Sequence, residues 1–111
     1  MKTENEKYGQ YYLFIAEKYY EKSSFKKAKP FFQIILTKMK QFMTKIDIWI
    51  KYGNCCKHLD DNEDAINAFR NAVKLDSSNC EAAILLVELL KSNILFDEAS
   101  NVIRTSKRRL K

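Results

Sequence analysis

Three alanines recur at nearly equal intervals along the chain. Ala65 and Ala99 are 34 residues apart, and Ala28 comes 37 residues before Ala65. The segments SFKKAKPFF, DNEDAINAF and LFDEASNVI each place a large apolar residue four positions after the alanine. Self-similarity at a fixed period is typical of repeat architectures, in which each unit stacks on the next. The sequence therefore predicts three units of about 34 residues, with about three extra residues between the first and the second.

The middle unit carries the most complete pattern, WIKYGNCCKHLDDNEDAINAF. It resembles the tetratricopeptide repeat family, whose unit is a pair of antiparallel helices. The residues that carry the resemblance are Trp49, Tyr52, Gly53 and Cys56 in the first helix and Ala65, Phe69 and Ala72 in the second. Cys56 replaces the family's usual tyrosine, and Ser77 replaces its usual proline.

The resemblance implies an all-α fold, an α-solenoid of about three helix-turn-helix repeats in one domain. We place the repeats at about 9–42, 46–79 and 80–111, as a short array or as part of a longer one. A single 34-residue hairpin cannot bury its own apolar face, so each unit has to cover the next. Small residues such as Gly53 and Ala65 are expected to face each other where the two helices of a hairpin approach closely.

Local signals mark the helix ends. The segment Ser78–Glu81 reads as a capping box that opens the third unit, and Thr44 is expected to cap the second. Pro30 lies inside a predicted helix, where it removes one backbone hydrogen bond, and we expect it to bend that helix toward solvent.

No motif in the chain points to catalysis. The single histidine, His58, follows a predicted helix and lacks triad-like neighbours, and neither a phosphate-binding glycine loop nor an HExxH sequence is present. The three cysteines form no CxxC pair, so we expect reduced core thiols rather than zinc ligands. The sequence predicts a protein that is not an enzyme and that needs no cofactor or metal. No apolar run is long enough to span a membrane.

Charge divides the chain into regions of opposite sign. Residues 1–57 contain twelve lysines and five acids, whereas residues 58–106 contain four basic and nine acidic residues. The last five residues, KRRLK, are basic again. This asymmetry indicates distinct surfaces for different partners more than one continuous nucleic-acid groove.

The family resemblance also places a binding surface. In tetratricopeptide arrays the first helix of each pair lines a concave groove. The positions of this chain that match the groove are Leu13, Glu17, Tyr20, Ile50, Asn54, Lys57, Glu81, Ile84, Glu88 and Lys91. Apolar residues rimmed by acids suit an amphipathic or basic segment of a protein partner.

The same positions disfavour one class of tetratricopeptide protein. Members that hold a chaperone's terminal carboxylate use a clamp of lysine, asparagine and arginine. Here Leu13, Glu17 and Glu81 occupy clamp positions, and only Asn54 fits. An acidic peptide end would be repelled by these carboxylates.

The lysines of the first unit form a second candidate surface on the convex side, composed of Lys22, Lys26, Lys27, Lys29, Lys38 and Lys40. An acidic protein or a nucleic acid could bind there. No basic residues interleaved with free aromatic rings are expected, because the tyrosines and phenylalanines are assigned to the core by their spacing.

At the level of subfamily, the order FKKAKPFFQIIL, insert, IWIKYGNCCKHLDDNEDAINAF resembles the array of the large tetratricopeptide subunit of transcription factor TFIIIC. That resemblance implies a nuclear scaffold in a multi-subunit RNA polymerase III complex, with nucleic acid contacted only indirectly. The alternatives are a cytoplasmic chaperone-associated or trafficking adaptor, and a protein that binds nucleic acid through its basic convex face.

Overall fold

The structure is a computed structural model that describes residues 4–92 and 102–103, with side chains from Lys7 onward. Within these ranges the chain is helix and turn, with no strand. The helices are α1 (Glu4–Glu21), α2 (Phe25–Lys38), α3 (Ile46–His58), α4 (Asn62–Leu75) and α5 (Cys80–Ser92). A short 3₁₀ helix, Lys40–Phe42, occupies the insert between α2 and α3. The predicted all-α class is confirmed.

The helices pack in the order of the sequence. Contacts join α1 to α2, α2 to α3, α3 to α4 and α4 to α5, as expected for a solenoid in which each element touches its neighbours. Helix α1 begins at Glu4, before the predicted start of the first unit. The second helix of the third unit, including Ala99, lies mostly outside the described residues. The division into three units stays a prediction.

Both helical hairpins turn in the same way. Ser23 after α1 and Asp60 after α3 adopt left-handed backbone conformations, with φ of 59° and 61°. The next amide closes each turn: Ser24 N–H donates to Tyr19 C=O at 2.8 Å, and Asp61 N–H donates to Cys56 C=O at 2.8 Å. A hydrogen bond from an amide to the carbonyl five residues before it, after a left-handed residue, is the Schellman motif, which ends a helix and reverses the chain.

The repeat positions form the core. Ala28, Phe32, Ala65 and Phe69 are completely buried, as their spacing predicts. The third unit departs from the pattern, because Ile103 is 39% exposed while Val102 packs against the core. The prediction that Ile103 occupies the same core position as Phe32 and Phe69 is therefore wrong, because the residue before it packs against the core instead.

Gly53 of α3 packs tightly against Phe69 of α4. A Cβ atom on Gly53 would collide with three ring carbons of Phe69. The glycine is needed because an aromatic ring fills the space beside it. Gly9 has a similar role against Phe42 of the 3₁₀ helix.

The helix ends correct two local predictions. Asn79, not Ser78, caps α5, since its Oδ1 accepts from Ala82 N–H at 3.0 Å. Helix α3 begins after Lys45 without a side-chain cap, so Thr44 does not cap it. Pro30 does not interrupt helix α2 and lies on its exposed side, and the bend expected there stays a prediction.

An ion cluster joins the two hairpins. Lys29 Nζ on α2 lies 2.6 Å from Asp61 Oδ2 and 3.0 Å from Asp64 Oδ2, at the start of α4. Burial alone would lower the pKa of Lys29, but the hydrogen bonds to the two carboxylates outweigh it and raise the pKa well above its usual range. Lys29 is thus a link between repeats and not part of a free basic surface, which corrects its predicted role. The other five predicted lysines are exposed.

Candidate functional site

Helices α1, α3 and α5 converge on a pocket of about 190 Å³. It is lined by Tyr20, Asp47, Ile50, Lys51, Asn54 and Glu81. Four of these were predicted groove positions, which the fold brings together from three helices. Because α1, α3 and α5 are the predicted first helices of the three units, the family resemblance would place a groove on this side.

Two polar bridges tie α1 to α3 along this side. Asn54 Nδ2 donates to the Tyr20 hydroxyl at 3.1 Å, and Lys51 Nζ donates to Glu17 Oε2 at 2.5 Å. The partners in each bridge are 34 residues apart. Lys51 was missed by the sequence analysis, although its separation from Glu17 by one full repeat was a usable signal.

The apolar positions differ from the expected exposed groove floor. Ile50 is only 6% exposed and packs with Ala72 and Ala82 between α3, α4 and α5. Leu13 is half-buried against the main core. Ile84, in contrast, is 55% exposed. It is the predicted apolar groove residue with most of its surface free to meet a partner.

The outward face of α5 carries the remaining predicted positions. Glu81, Ile84, Glu88 and Lys91 follow one another at helical spacing, and all four are exposed. Lys57 at the end of α3 is exposed too. Among the described side chains, Asp47 and Glu81 make no ion pair, whereas Lys51 is engaged by Glu17. The pocket therefore presents two free carboxylates beside a neutralised lysine.

Some of the groove residues are sorted by charge along their helices. Asp47 and Glu81 stand in the first turns of α3 and α5, and Lys57 and Lys91 stand in their last turns. Acids at helix N-termini and bases at C-termini are favoured by the helix dipole. Glu17 and Glu88 do not follow this arrangement, since they lie in the C-terminal halves of α1 and α5.

The cysteines are structural. Cys55 and Cys56 are completely buried in the core, whereas Cys80 is exposed. Burial raises the pKa of Cys55 to about 12 and that of Cys56 to about 11. Both thiols are neutral at physiological pH, and a neutral thiol is a poor nucleophile and metal ligand. The described residues contain no group of three or more acidic, histidine or cysteine side chains arranged to hold a metal.

His58 makes a packing contact that the sequence did not predict. Its ring stacks on Phe25 at 4.2 Å between centroids, with 4° between the planes. This contact connects the end of α3 to the start of α2. The histidine therefore has a packing role between hairpins besides its position at a helix C-terminus.

The aromatic residues are not all core residues, contrary to the prediction from their spacing. Tyr8, Tyr11 and Phe14 on α1 are 47%, 56% and 62% exposed. They lie on the side of α1 that faces away from the other helices.

Comparison with known proteins gives information on the fold only. No family model matches the chain, and no curated protein matches it. Among solved structures, the MamA D159K mutant superposes with a TM-score of 0.77 at 13% sequence identity. The match covers 89% of this chain and 53% of that one, so the chain spans about half the length of the matched structure.

The fold is a tetratricopeptide-like helical repeat. None of the helices within the described ranges has the length and apolarity needed to cross a membrane.

Proposed function

We propose that this protein is a non-catalytic scaffold that binds a basic amphipathic segment of a partner protein along the side formed by α1, α3 and α5. The observation that carries the proposal is the pocket where these helices converge, with the carboxylates of Asp47 and Glu81 on its lining.

Charge favours a basic partner. Lys51, the lysine that lines the same pocket, is paired with Glu17 and not with these acids. A lysine or arginine of a partner would pair with Asp47 and Glu81 without displacing an existing ion pair. Complementary charges of this kind mainly set orientation and the rate of association.

Apolar contact would come from α5. Ile84 lies one helical turn beyond Glu81 and is more than half exposed. Burying such a side chain against a partner contributes about 1.5–3 kcal/mol if the burial is complete. An amphipathic helix or extended segment that covers Ile84 would place its basic residue near the carboxylates of Asp47 and Glu81.

A peptide-binding measurement tests this proposal. The probe is a fluorescent helical peptide with leucines on one face and arginines near one end, and its partner peptide has glutamates in place of the arginines. We expect the arginine peptide to bind more tightly. Asp47→Lys combined with Glu81→Lys should weaken it by about tenfold or more.

The controls separate the groove from general effects of charge and stability. Glu63→Lys changes an exposed acid on α4 and should leave binding nearly unchanged. Ile84→Ser tests the apolar contact without disturbing the core, which an Ile50 substitution would do. Equal binding of both peptides, or insensitivity to the Asp47 and Glu81 variants, would contradict the proposal.

The cellular context rests on the sequence resemblance alone. A scaffold role in RNA polymerase III factor assembly would place the protein in the nucleus and in a large complex, whereas an adaptor role would place it in the cytoplasm. Affinity capture from nuclear and cytoplasmic extracts, with the wild type and the Asp47→Lys/Glu81→Lys variant as baits, distinguishes them. Polymerase III factors that are lost with the variant would support the nuclear context.

A further inference from the structure

The outer side of α1 exposes a row of aromatic rings. Tyr8, Tyr11 and Phe14 follow at three-residue spacing, and each leaves about half or more of its surface in contact with solvent. The rings of Tyr8 and Tyr11 lie 6.4 Å apart. Exposed large apolar residues that are contiguous, rather than scattered, mark interaction sites.

Lysines border this row. Lys7, Lys18 and Lys22 are exposed at helical positions that alternate with the rings. Lys18 Nζ lies 5.3 Å from the centre of the Phe14 ring. Among the described side chains, the carboxylate that pairs with Lys18 is that of Glu21, whose Oε2 lies 3.7 Å from Lys18 Nζ. The face therefore combines apolar rings with an excess of positive charge.

Partly buried residues widen the row into a surface. Phe31 on α2 packs against Tyr12 and Tyr19, at 5.9 and 6.2 Å between ring centroids, and these rings are only half-buried. Ile15, also half-buried, lies between the two tyrosines along α1. Together with the aromatic row, these residues form one apolar surface on α1 and α2.

We propose that this aromatic face of α1, made of Tyr8, Tyr11, Phe14 and the lysines Lys7, Lys18 and Lys22, binds an acidic amphipathic helix of a second protein. The apolar side of that helix covers the rings, and its carboxylates pair with the lysines. An exposed apolar helix face suits the docking of another helix, since stacking helices on one another is how the array itself is built.

The width of the surface favours a helix over a single nucleic-acid strand. A strand reader stacks one base on each free ring and neutralises phosphates in a groove. Here Lys18 already lies over Phe14, and the rings continue into the half-buried cluster around Phe31. A continuous apolar band with charges along its border fits the two faces of an amphipathic helix.

This surface is separate from the groove. Glu17 and Tyr20 of α1 bond to α3 on the groove side, whereas the aromatic face points away from the other helices. A protein with a basic outer face and acidic pocket residues could hold two partners of opposite charge at once. The proposal does not depend on what the groove binds.

The test is fluorescence anisotropy with a helical peptide that carries leucines on one face and glutamates along its borders. We expect binding that weakens as salt is added. Tyr11→Ser with Phe14→Ser should weaken it by about tenfold or more. Lys7→Glu with Lys18→Glu should do the same while leaving the exposed rings in place, which guards against a loss caused by misfolding.

Two matched variants serve as controls and should leave the affinity nearly unchanged. Leu75→Ser removes an exposed apolar residue from α4. Lys45→Glu with Lys74→Glu reverses two exposed lysines that lie outside α1, α2 and the 3₁₀ helix.

Three results would overturn the proposal. The first is failure of the glutamate peptide to bind, and the second is equal binding of a peptide with lysine in place of glutamate. The third is tighter binding of a single-stranded RNA of about 12 nucleotides that depends on Tyr11 and Phe14, which would assign the face to nucleic acid.

Discussion

The first and second hairpins share one plan but differ where their helices cross. Both place a completely buried phenylalanine, Phe32 or Phe69, on the second helix. At the equivalent position of the first helix, the first hairpin has Ala16, which is completely buried, and the second has Gly53, where a methyl group would collide with Phe69. The same repeat position therefore tolerates different sizes, because the distance between the helices sets what fits.

The hairpins also differ in what they present outward. The first exposes aromatic rings and lysines, whereas the second supplies the buried thiols and Asp47 of the pocket. Repeats with equivalent cores can thus carry unrelated surfaces, since the core positions constrain only the inward faces of the helices.

The largest expected effect tests whether the two phenylalanines are equivalent. Phe32→Ala and Phe69→Ala should each lower the free energy of unfolding by about 3–5 kcal/mol, because both rings are completely buried and leave cavities. Urea denaturation followed by circular dichroism measures it. A loss below about 1 kcal/mol at either site would show that the two phenylalanines are not equivalent.

The next largest effect on stability is expected at Gly53, the small residue beside Phe69. Gly53→Ala should destabilise by about 1–2 kcal/mol, since overpacking outweighs the roughly 1 kcal/mol that alanine adds in helix propensity. Combining it with Phe69→Leu should remove most of that loss. Ala16→Gly in the first hairpin is the matched change. It should lower the free energy of unfolding only through the lower helix propensity of glycine and a small cavity. Stabilisation by Gly53→Ala would show that the helices are free to separate.

Alkaline pH should weaken the second hairpin through its thiols. The pKa values of Cys55 and Cys56 are raised to about 12 and 11, so the unfolded chain loses its thiol protons first. The stability these groups confer is complete below pH ~8.5 and falls as the pH rises toward 11. By pH 10 we expect a loss of about 1–2 kcal/mol per thiol.

Denaturation under reducing conditions at pH 8 and pH 10 tests this. Cys55→Ala should lessen the loss between the two pH values, whereas Cys80→Ala, at an exposed thiol, should not. An unchanged slope in Cys55→Ala would place the alkaline sensitivity elsewhere, for example at Tyr52, whose pKa is raised by burial.

The smallest effect concerns the turns, where the hairpins are most alike. Ser23 and Asp60 hold positive φ angles that glycine adopts more easily. Ser23→Gly and Asp60→Gly should each stabilise the protein by about 0.5–1 kcal/mol or be neutral. Thermal melts compare them, and a clear loss in only one would show that its side chain has a further role.

The sequence identified the fold through residues whose type is dictated by burial. Ala28, Phe32, Ala65 and Phe69 stand at a fixed period and fill the core as expected. The same reasoning failed for Tyr8, Tyr11 and Phe14, because apolar residues on a helix indicate a face without indicating whether another element covers it. It did not show how deeply Ile50 is buried, since this residue lines the pocket and also packs with Ala72 and Ala82.

The sequence by itself determined the all-α fold and core positions such as Phe32 and Phe69. The division into three repeats and the side on which a groove would form stay predictions. Only the tertiary structure decided which polar groups meet: Lys29 with Asp61 and Asp64, Lys51 with Glu17, and His58 with Phe25. The physical reason is that periodicity fixes the direction of each side chain from its own helix. Contacts between helices depend instead on their separation and relative rotation, which the packing of the whole array sets.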